Sequence, residues 1–473
     1  MTISLNRRRF LKGTAVSAAA AASVQLFPAP ALLAAPSLGS KLGMAVIGAN
    51  GRGLAHVGVA ASERLVALVD VDDRRMAGSL AFLTKTVPGF DAAQVKTYYD
   101  FRKMFDETHK QLDAVFVATP DNTHACISMT AIKLGKHVYC EKPLTHDIYE
   151  ARALGEAARQ HKVMTQMGNQ GHAGEGIRVL REYLEAGAIG TVLEAHVWQD
   201  QVYGVPQRQP DKPVPPGLHW NEWIGPGAYC EFRDGMHPSC WYQWKDYGTG
   251  LLACVGVHTF DAVHWGLQLK YPTSVVALEQ QGQTADAWGG LNTLLYEFPR
   301  PGLPPLNVYW YDGVRNLPFD EFLRKQLPPS VRKARNHPRL ADELTTKYGR
   351  DLTNGGSLFV GEKGYLVSGV YSDSPRLVPE QRHQEFPQPA KKYPRTHGIH
   401  ADFLRACKEG GDPPSSNFPD VSGPYIEALL VGNLAMRAGV GKKVQWDGPN
   451  MKCTNLPELN EYVKREYRQG WTL

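Results

Sequence analysis

The sequence predicts an α/β chain: an N-terminal domain on a parallel sheet, then a C-terminal α+β domain with a mainly antiparallel sheet. Three observations carry this. Short apolar runs alternate with helical stretches from Lys41 to Met167, the pattern of βαβ units. Beyond Gly168 the apolar segments become alternating and aromatic-rich, which suits strands with one buried face. The 473 residues exceed what a single hydrophobic core usually supports. We expect a leader over 1–35, a first domain over 40–168, a second over 169–440, and a tail over 441–473 that packs on the domains.

The elements follow in order. Met44–Ile47 and Leu65–Val69 are buried strands separated by a glycine turn and a helix running through His56 and Ala60. Asp113–Ala118, His137–Tyr139 and Val163–Met167 complete the first sheet, with helices over Asn122–Leu134 and Ile148–Gln160 between them. In the second domain, a helix over Gly174–Ala186 leads to strands at Leu193–Gln199, Ser274–Gln280, Asn292–Phe298 and Asn307–Tyr311. The proline- and tryptophan-rich stretch from Tyr203 to Asp246 has no clear period, and loops this long are usually functional or disordered. Its four tryptophans, Trp220, Trp223, Trp241 and Trp244, argue against disorder. Arg315–Arg350 reads as a basic surface insertion and Gly361–Gly364 as a hairpin turn. Helices at His400–Cys407 and Tyr425–Ala438 precede a polar tail.

Composition excludes several classes. Hydrophobic residues at 43%, charged residues at 21% and a net charge of +5 are those of an ordinary globular chain. The basic residues are scattered, so no nucleic-acid surface is expected. No apolar run beyond the leader is long enough to span a bilayer, so no membrane partner is expected of the mature chain. The N-terminus differs. Asn6-Arg7-Arg8-Arg9-Phe10-Leu11-Lys12 precedes an alanine-rich, mildly apolar run from Thr14 to Ala35, and Ala29-Pro30-Ala31 offers a signal-peptidase site. This is the pattern of a twin-arginine export signal, and it predicts a periplasmic or otherwise exported protein. The seven cysteines include no metal-binding spacing. Cys230 and Cys240 are spaced for a local bridge, or are free thiols.

Three motifs carry chemistry. Gly48-Ala49-Asn50-Gly51-Arg52-Gly53 lies between a strand and a helix. There, glycines let the backbone approach a pyrophosphate and the helix N-terminus favours the anion. Asn50 replaces the middle glycine of the usual pattern, but tolerates positive φ better than most residues. Asp70, closing the second strand, suits the adenosine ribose hydroxyls and favours NAD over NADP. The first domain is therefore expected to be Rossmann-type, with Gly48, Asn50, Gly51, Arg52, Gly53 and Asp70 binding NAD. The second motif is Ala118-Thr119-Pro120-Asp121-Asn122-Thr123-His124, at the carboxyl end of a strand. The third is Glu141-Lys142-Pro143.

Together these motifs resemble the Gfo/Idh/MocA oxidoreductase family. The resemblance extends through Gln166–Gln170, Trp223–Pro226, His237-Pro238, Gly248–Gly250, His258-x-x-Asp261 and the closing Trp446…Trp471, and is with the exported bacterial branch. It implies that Thr119, Pro120, Asn122, His124, Glu141 and Gln170 also bind the cofactor. Lys142 and His258 would carry the catalysis, with Lys142 on the reacting hydroxyl. His237, Trp241, Trp244 and Asp261 would border a carbohydrate substrate. No metal is expected.

One departure stands out. The family usually carries an aspartate four residues before the histidine of its last motif, and this chain has Cys254. His258 is then expected to be a weaker and less well-held base, with Asp261 a candidate substitute. Three functions stay open: a sugar oxidoreductase with tightly held, recycled NAD; a glycosidase or lyase working through transient oxidation and elimination; and a non-catalytic sugar- or NAD-binding protein. The antiparallel sheet offers an association surface for a homo-oligomer.

Overall fold

The computed structural model describes residues 41–199, 201, 206, 208–238, 241–315 and 334–473. The leader expected over 1–35 lies outside the described residues. The first six strands, β1 (Gly43–Ile47), β2 (Arg64–Val69), β3 (Lys96–Tyr98), β4 (Ala114–Val117), β5 (His137–Cys140) and β6 (Thr165–Met167), form one sheet in the order β3-β2-β1-β4-β5-β6. Every pairing is parallel. All five residues of β1 are buried, as a strand covered on both faces requires. Its side chains alternate between two cores: Ala45 and Ile47 face one, Met44 and Val46 the other.

The second of those cores draws on distant sequence. Ile399, Phe403 and Cys407 of the helix Ile399–Glu409 pack beside Met44, Phe116 and Tyr139. Phe403 lies 5.7 Å from the Tyr139 ring. This helix, expected in the second domain, thus closes the core of the first.

Nine further strands make the second sheet, in the order β13-β12-β11-β7-β10-β9-β8-β14-β15. They are β7 (Val192–Trp198), β8 (Ser274–Gln281), β9 (Leu291–Arg300), β10 (Leu303–Gly313), β11 (Gly356–Gly361), β12 (Gly364–Gly369), β13 (Arg376–Val378), β14 (Val444–Asp447) and β15 (Lys452–Cys453). Only β7 with β10 is parallel; the other pairings are antiparallel. The Gly361–Gly364 hairpin forms as expected. Two expectations change. Residues 441–473 supply β14 and β15 to the sheet's edge rather than only packing on the domains. Within the expected surface insertion, residues 316–333 lie outside the described residues. Its helix Arg339–Tyr348, however, buries Ala341 and Leu344 against Trp198, Leu358 and Val367.

The helix Gly256–Gly266 carries His258 and rests directly on this sheet. A Cβ at Gly256 would lie 2.6 Å from the ring of Trp310, itself fully buried on β10. Glycine there permits the close approach that fixes the helix. No described helix is long and apolar enough to cross a membrane.

Candidate functional site

Beyond β1 the chain turns sharply. Gly48 has φ +82°, and a Cβ there would sit 2.5 Å from the Ala118 carbonyl oxygen, so only glycine fits. The expected positive φ at Asn50 is not needed, because it falls on Gly51 at +61°, and Asn50 instead holds the turn from its side chain. Its Nδ2 donates to the Arg75 carbonyl at 2.9 Å, and its Oδ1 accepts from the Gly51 N–H at 2.7 Å. Gly53 starts the helix Gly53–Ser62, where a Cβ would fall 1.8 Å from the Gly48 carbonyl oxygen. The Asn50 N–H donates to Asp70 at 3.2 Å, and the Asp72 N–H at 3.1 Å to the other oxygen. Burial pushes the Asp70 pKa up to about 6, against these hydrogen bonds and the Arg75 charge. Arg74 is tied in two places to Asp72, whereas Arg75 faces the cleft.

This turn forms one wall of a cleft of about 540 Å³, within the usual size of a ligand site. Gly48, Asn50, Gly51, Arg52, Asp70, Thr119, Pro120, Glu141 and Lys142 all line it, as do Trp223, Trp241, Tyr242 and Cys254 from the second domain. A glycine cradle at a strand-to-helix turn, a buried acid closing β2 and a second acid after β5 fit an extended dinucleotide.

Glu141 is buried, yet accepts from Arg52 Nε at 2.7 Å and lies 3.0 Å from His56 Nε2. Burial alone would raise its pKa; His56 and Arg52 override it and hold the carboxylate ionised well below the usual range. His56 in turn meets His400 at 2.9 Å. Lys142, next in sequence, donates from Nζ to the Cys254 carbonyl at 2.6 Å. The first domain's lysine is thereby anchored on the second domain's backbone. His258 is buried, with its ring 4.9 Å from that of Tyr371 and its Nδ1 without a hydrogen-bond partner. Burial, then the Lys142 charge, push its pKa down to about 3, so it stays neutral at physiological pH.

Several residues take other roles than the sequence suggests. His124 is buried with one ring nitrogen 2.8 Å from the Pro143 carbonyl and the other 2.8 Å from that of Thr119. Two carbonyls demand two N–H donors, hence an imidazolium. Burial opposes the charge, but its surroundings prevail and the pKa stands at about 9. His124 therefore clamps two cleft-lining turns rather than lining the cleft. Asn122 donates to the Ile224 carbonyl at 2.7 Å and is likewise a tie between segments. Asp261 does not support His258; its carboxylate is taken by His172 at 2.9 Å and Asn169 at 3.0 Å. His237 lines the cleft, but 3.0 Å from Asp72, beside the Asp70 end. Trp244 is a core residue among Trp220, Trp223 and Tyr247. Gln170 is exposed and absent from the lining. Cys230 is a free thiol, while Cys240 lies outside the described residues.

Other participants escaped the sequence reading. Tyr99 and Trp471 line the cleft, and Asp121, His56 and His400 support it, whereas Arg75, which also lines it, stands close enough to Asp70 in sequence to bear on the choice between NAD and NADP. Tyr99 directly follows a strand end, a position at which ligands commonly bind in such sheets, and this is the one signal that could have flagged it.

Known proteins bear out the architecture. A levoglucosan dehydrogenase of Pseudarthrobacter phenanthrenivorans is 31% identical over 167 residues, which is 35% of this chain and 35% of that protein. The matched part is thus about a third of that relative's length. Two solved structures share the fold over nearly their whole length. One is an inositol dehydrogenase homologue from Azotobacter vinelandii with NADH and myo-inositol: TM-score 0.51, 17% identity, covering 87% of this chain and 99% of that one. The other is the WlbA dehydrogenase from Bordetella pertussis with NADH and UDP-GlcNAcA: TM-score 0.55, 15% identity, covering 86% and 99%. Residues 42–169, which carry the six-stranded sheet and the glycine wall of the cleft, match the model described as "Oxidoreductase family, NAD-binding Rossmann fold", so NAD is the cofactor to which this domain corresponds.

Proposed function

We propose that the protein is an NAD-dependent oxidoreductase acting on a secondary hydroxyl of a sugar or sugar-like substrate. One observation carries the reading: Lys142 Nζ is fixed at 2.6 Å on the Cys254 carbonyl within the same cleft as the glycine turn, Asp70 and Glu141. The dinucleotide, when bound, supplies the acceptor for the hydride leaving the substrate carbon. The chain handles the hydroxyl. An ammonium with one N–H on a carbonyl keeps two more for an oxygen that gains negative charge as its proton departs. Neutral His258, whose Nδ1 has no partner, is the group that would take the hydroxyl proton, and its low pKa makes it a weak base for it, which fits a site lacking a carboxylate at position 254. Trp223, Trp241 and Tyr242 present aromatic faces suited to the C–H faces of a pyranose.

The arginine pair Arg7-Arg8 supports export through the twin-arginine route, and an exported enzyme has little free NAD to exchange. We therefore infer a tightly held cofactor that each turnover returns to its starting state. The test is mass spectrometry of the purified protein for retained dinucleotide, followed by assay on cyclic polyols, anhydrosugars and aldoses. Aryl glycosides form a parallel arm, because their cleavage without net NADH would favour the transient-oxidation reading. A protein that neither retains NAD nor acts on any of these is not this enzyme.

A further inference from the structure

The aspartate absent at position 254 has a counterpart, brought in from another part of the chain. Asp121 opens the helix Asp121–Lys133 and is completely buried. Its Oδ2 lies 3.2 Å from Cys254 Sγ and accepts from the Thr249 N–H at 3.1 Å and the Thr249 hydroxyl at 2.7 Å. The Thr249 hydroxyl is also 3.6 Å from Cys254 Sγ. The Cys254 carbonyl then holds Lys142 Nζ at 2.6 Å. Asp121, Thr249, Cys254 and Lys142 are thus one connected chain of contacts.

A loop pin would explain the Thr249 contacts, but not the choice of residue. Asp121 caps nothing in its own helix, whose N-cap is Pro120 with no side-chain hydrogen bond. A serine could hold Thr249 without the cost of a buried carboxylate, which is several kcal/mol unless cations compensate. Burial raises the Asp121 pKa, and the cations that act against it are His124 and Lys142. Its Oδ1 is buried with no partner at all, an arrangement that packing alone would not favour.

We propose that Asp121 takes the place of the carboxylate absent at position 254, acting as a positioning residue for Lys142 through Cys254. The inference rests on the reading of Lys142 as the catalytic group. It makes a counterintuitive statement about position 254: restoring the aspartate there should harm the protein, because two carboxylates would share a site built for one.

The test compares wild type with Asp121→Asn, Cys254→Asp and the double variant. Urea unfolding is followed at acid and alkaline pH, and turnover and its pH profile are followed on the substrate found in the polyol screen. Cys254→Asp should lose stability, most at alkaline pH, where both carboxylates ionise. Asp121→Asn should lower kcat about 10²-fold or more, with a smaller change in KM and a displaced pH profile. The double variant should regain stability relative to Cys254→Asp, and regain most of the turnover, because one carboxylate is again present. Additive effects in the double variant, or wild-type turnover and pH profile in Asp121→Asn, overturn the proposal. Should Asp121→Asn alone not fold, Cys254→Asp against the double variant carries the test. If no variant, wild type included, oxidises any polyol, the catalytic reading of Lys142 fails. The stability coupling still decides whether positions 121 and 254 share one carboxylate.

Discussion

If Asp70 holds the cofactor, as proposed, binding should depend on pH in a direction set by the carboxyl's surroundings. Its carboxyl is 7% exposed, each oxygen receives one backbone N–H, and burial raises its pKa to about 6. On this assignment the ribose hydroxyls of NAD would donate to the ionised form, so affinity should follow the ionised fraction. From about pH 7 to about pH 5 that fraction falls about tenfold, and Kd should rise by the same factor. The unliganded protein should show the opposite trend. A carboxyl whose folded pKa lies above its unfolded value of 3.8 adds stability below that value, and the stability is lost as pH rises through about 6. Asp70→Ser removes two hydrogen bonds to a charged acceptor, each worth about 1.5–3 kcal/mol. With water filling part of the gap, about 2–4 kcal/mol remains, or about 30- to 900-fold in Kd. Calorimetric titration of cofactor-free wild type and Asp70→Ser with NAD and with NADP, across this pH range, measures the affinities, and urea unfolding of the unliganded protein over the same range measures the stability trend. A Kd flat between pH 5 and 7, or NADP bound as tightly as NAD, would refute the assignment of Asp70.

Four further outcomes are expected. Lys142→Ala should lower turnover by about 10² to 10⁴ while leaving NAD affinity within a few-fold, separable by stopped-time assay and titration. Glu141→Gln should destabilise the fold by about 1–3 kcal/mol in urea, because buried His56 loses its charged partner. Since Glu141 is held below the usual carboxylate range, its stabilisation is present above that range and is lost as the pH falls, so the gap between wild type and variant should narrow in acid. Phe403→Ala should cost about 3–5 kcal/mol in the same assay if helix Ile399–Glu409 truly closes the first core. Replacing Arg7 and Arg8 with lysine should leave full-length precursor in the cytoplasm, and normal export on immunoblots of cell fractions would rule out the twin-arginine route.

Where the sequence was legible, the determinant was local. Gly48, Asn50, Gly51 and Gly53 act through a turn of six residues, and Asp70 through its place at a strand end, so pattern and spacing sufficed. His124 and Asn122 lie in the correct motif, but their side chains are claimed by Pro143 and Ile224, partners set by tertiary contact alone. The same holds for Asp261. Its place one turn from His258 was read correctly, whereas its occupation by His172 and Asn169 depends on a segment 89 positions away. The helix Ile399–Glu409 shows the limit at the level of domains. The helix itself was visible over His400–Cys407, but which core it would fill was not.

The anchoring of Lys142 explains why position 254 can depart from the pattern the chain resembles without dismantling the site. The acceptor for Nζ is the Cys254 carbonyl, a backbone group that every residue type supplies, while the side chain there carries the contact to Asp121 that supports the segment. What the side chain does decide is its contact with Asp121, whose pKa burial raises against the pull of His124 and Lys142. The acceptor for the lysine and the support behind it are thus different atoms of one residue. A substitution at 254 should then act on turnover and its pH profile, whereas one that shifts the backbone of helix Gly250–Cys254 should act on the placement of Lys142 itself. Gly250 tests the second case. Its φ of +69° and a would-be Cβ 2.9 Å from the Trp288 ring leave no room for alanine. Gly250→Ala should therefore move the carbonyl and depress turnover even with Asp121 and Cys254 intact. Unaltered turnover in a folded Gly250→Ala protein would show that the carbonyl anchor does not matter to the chemistry.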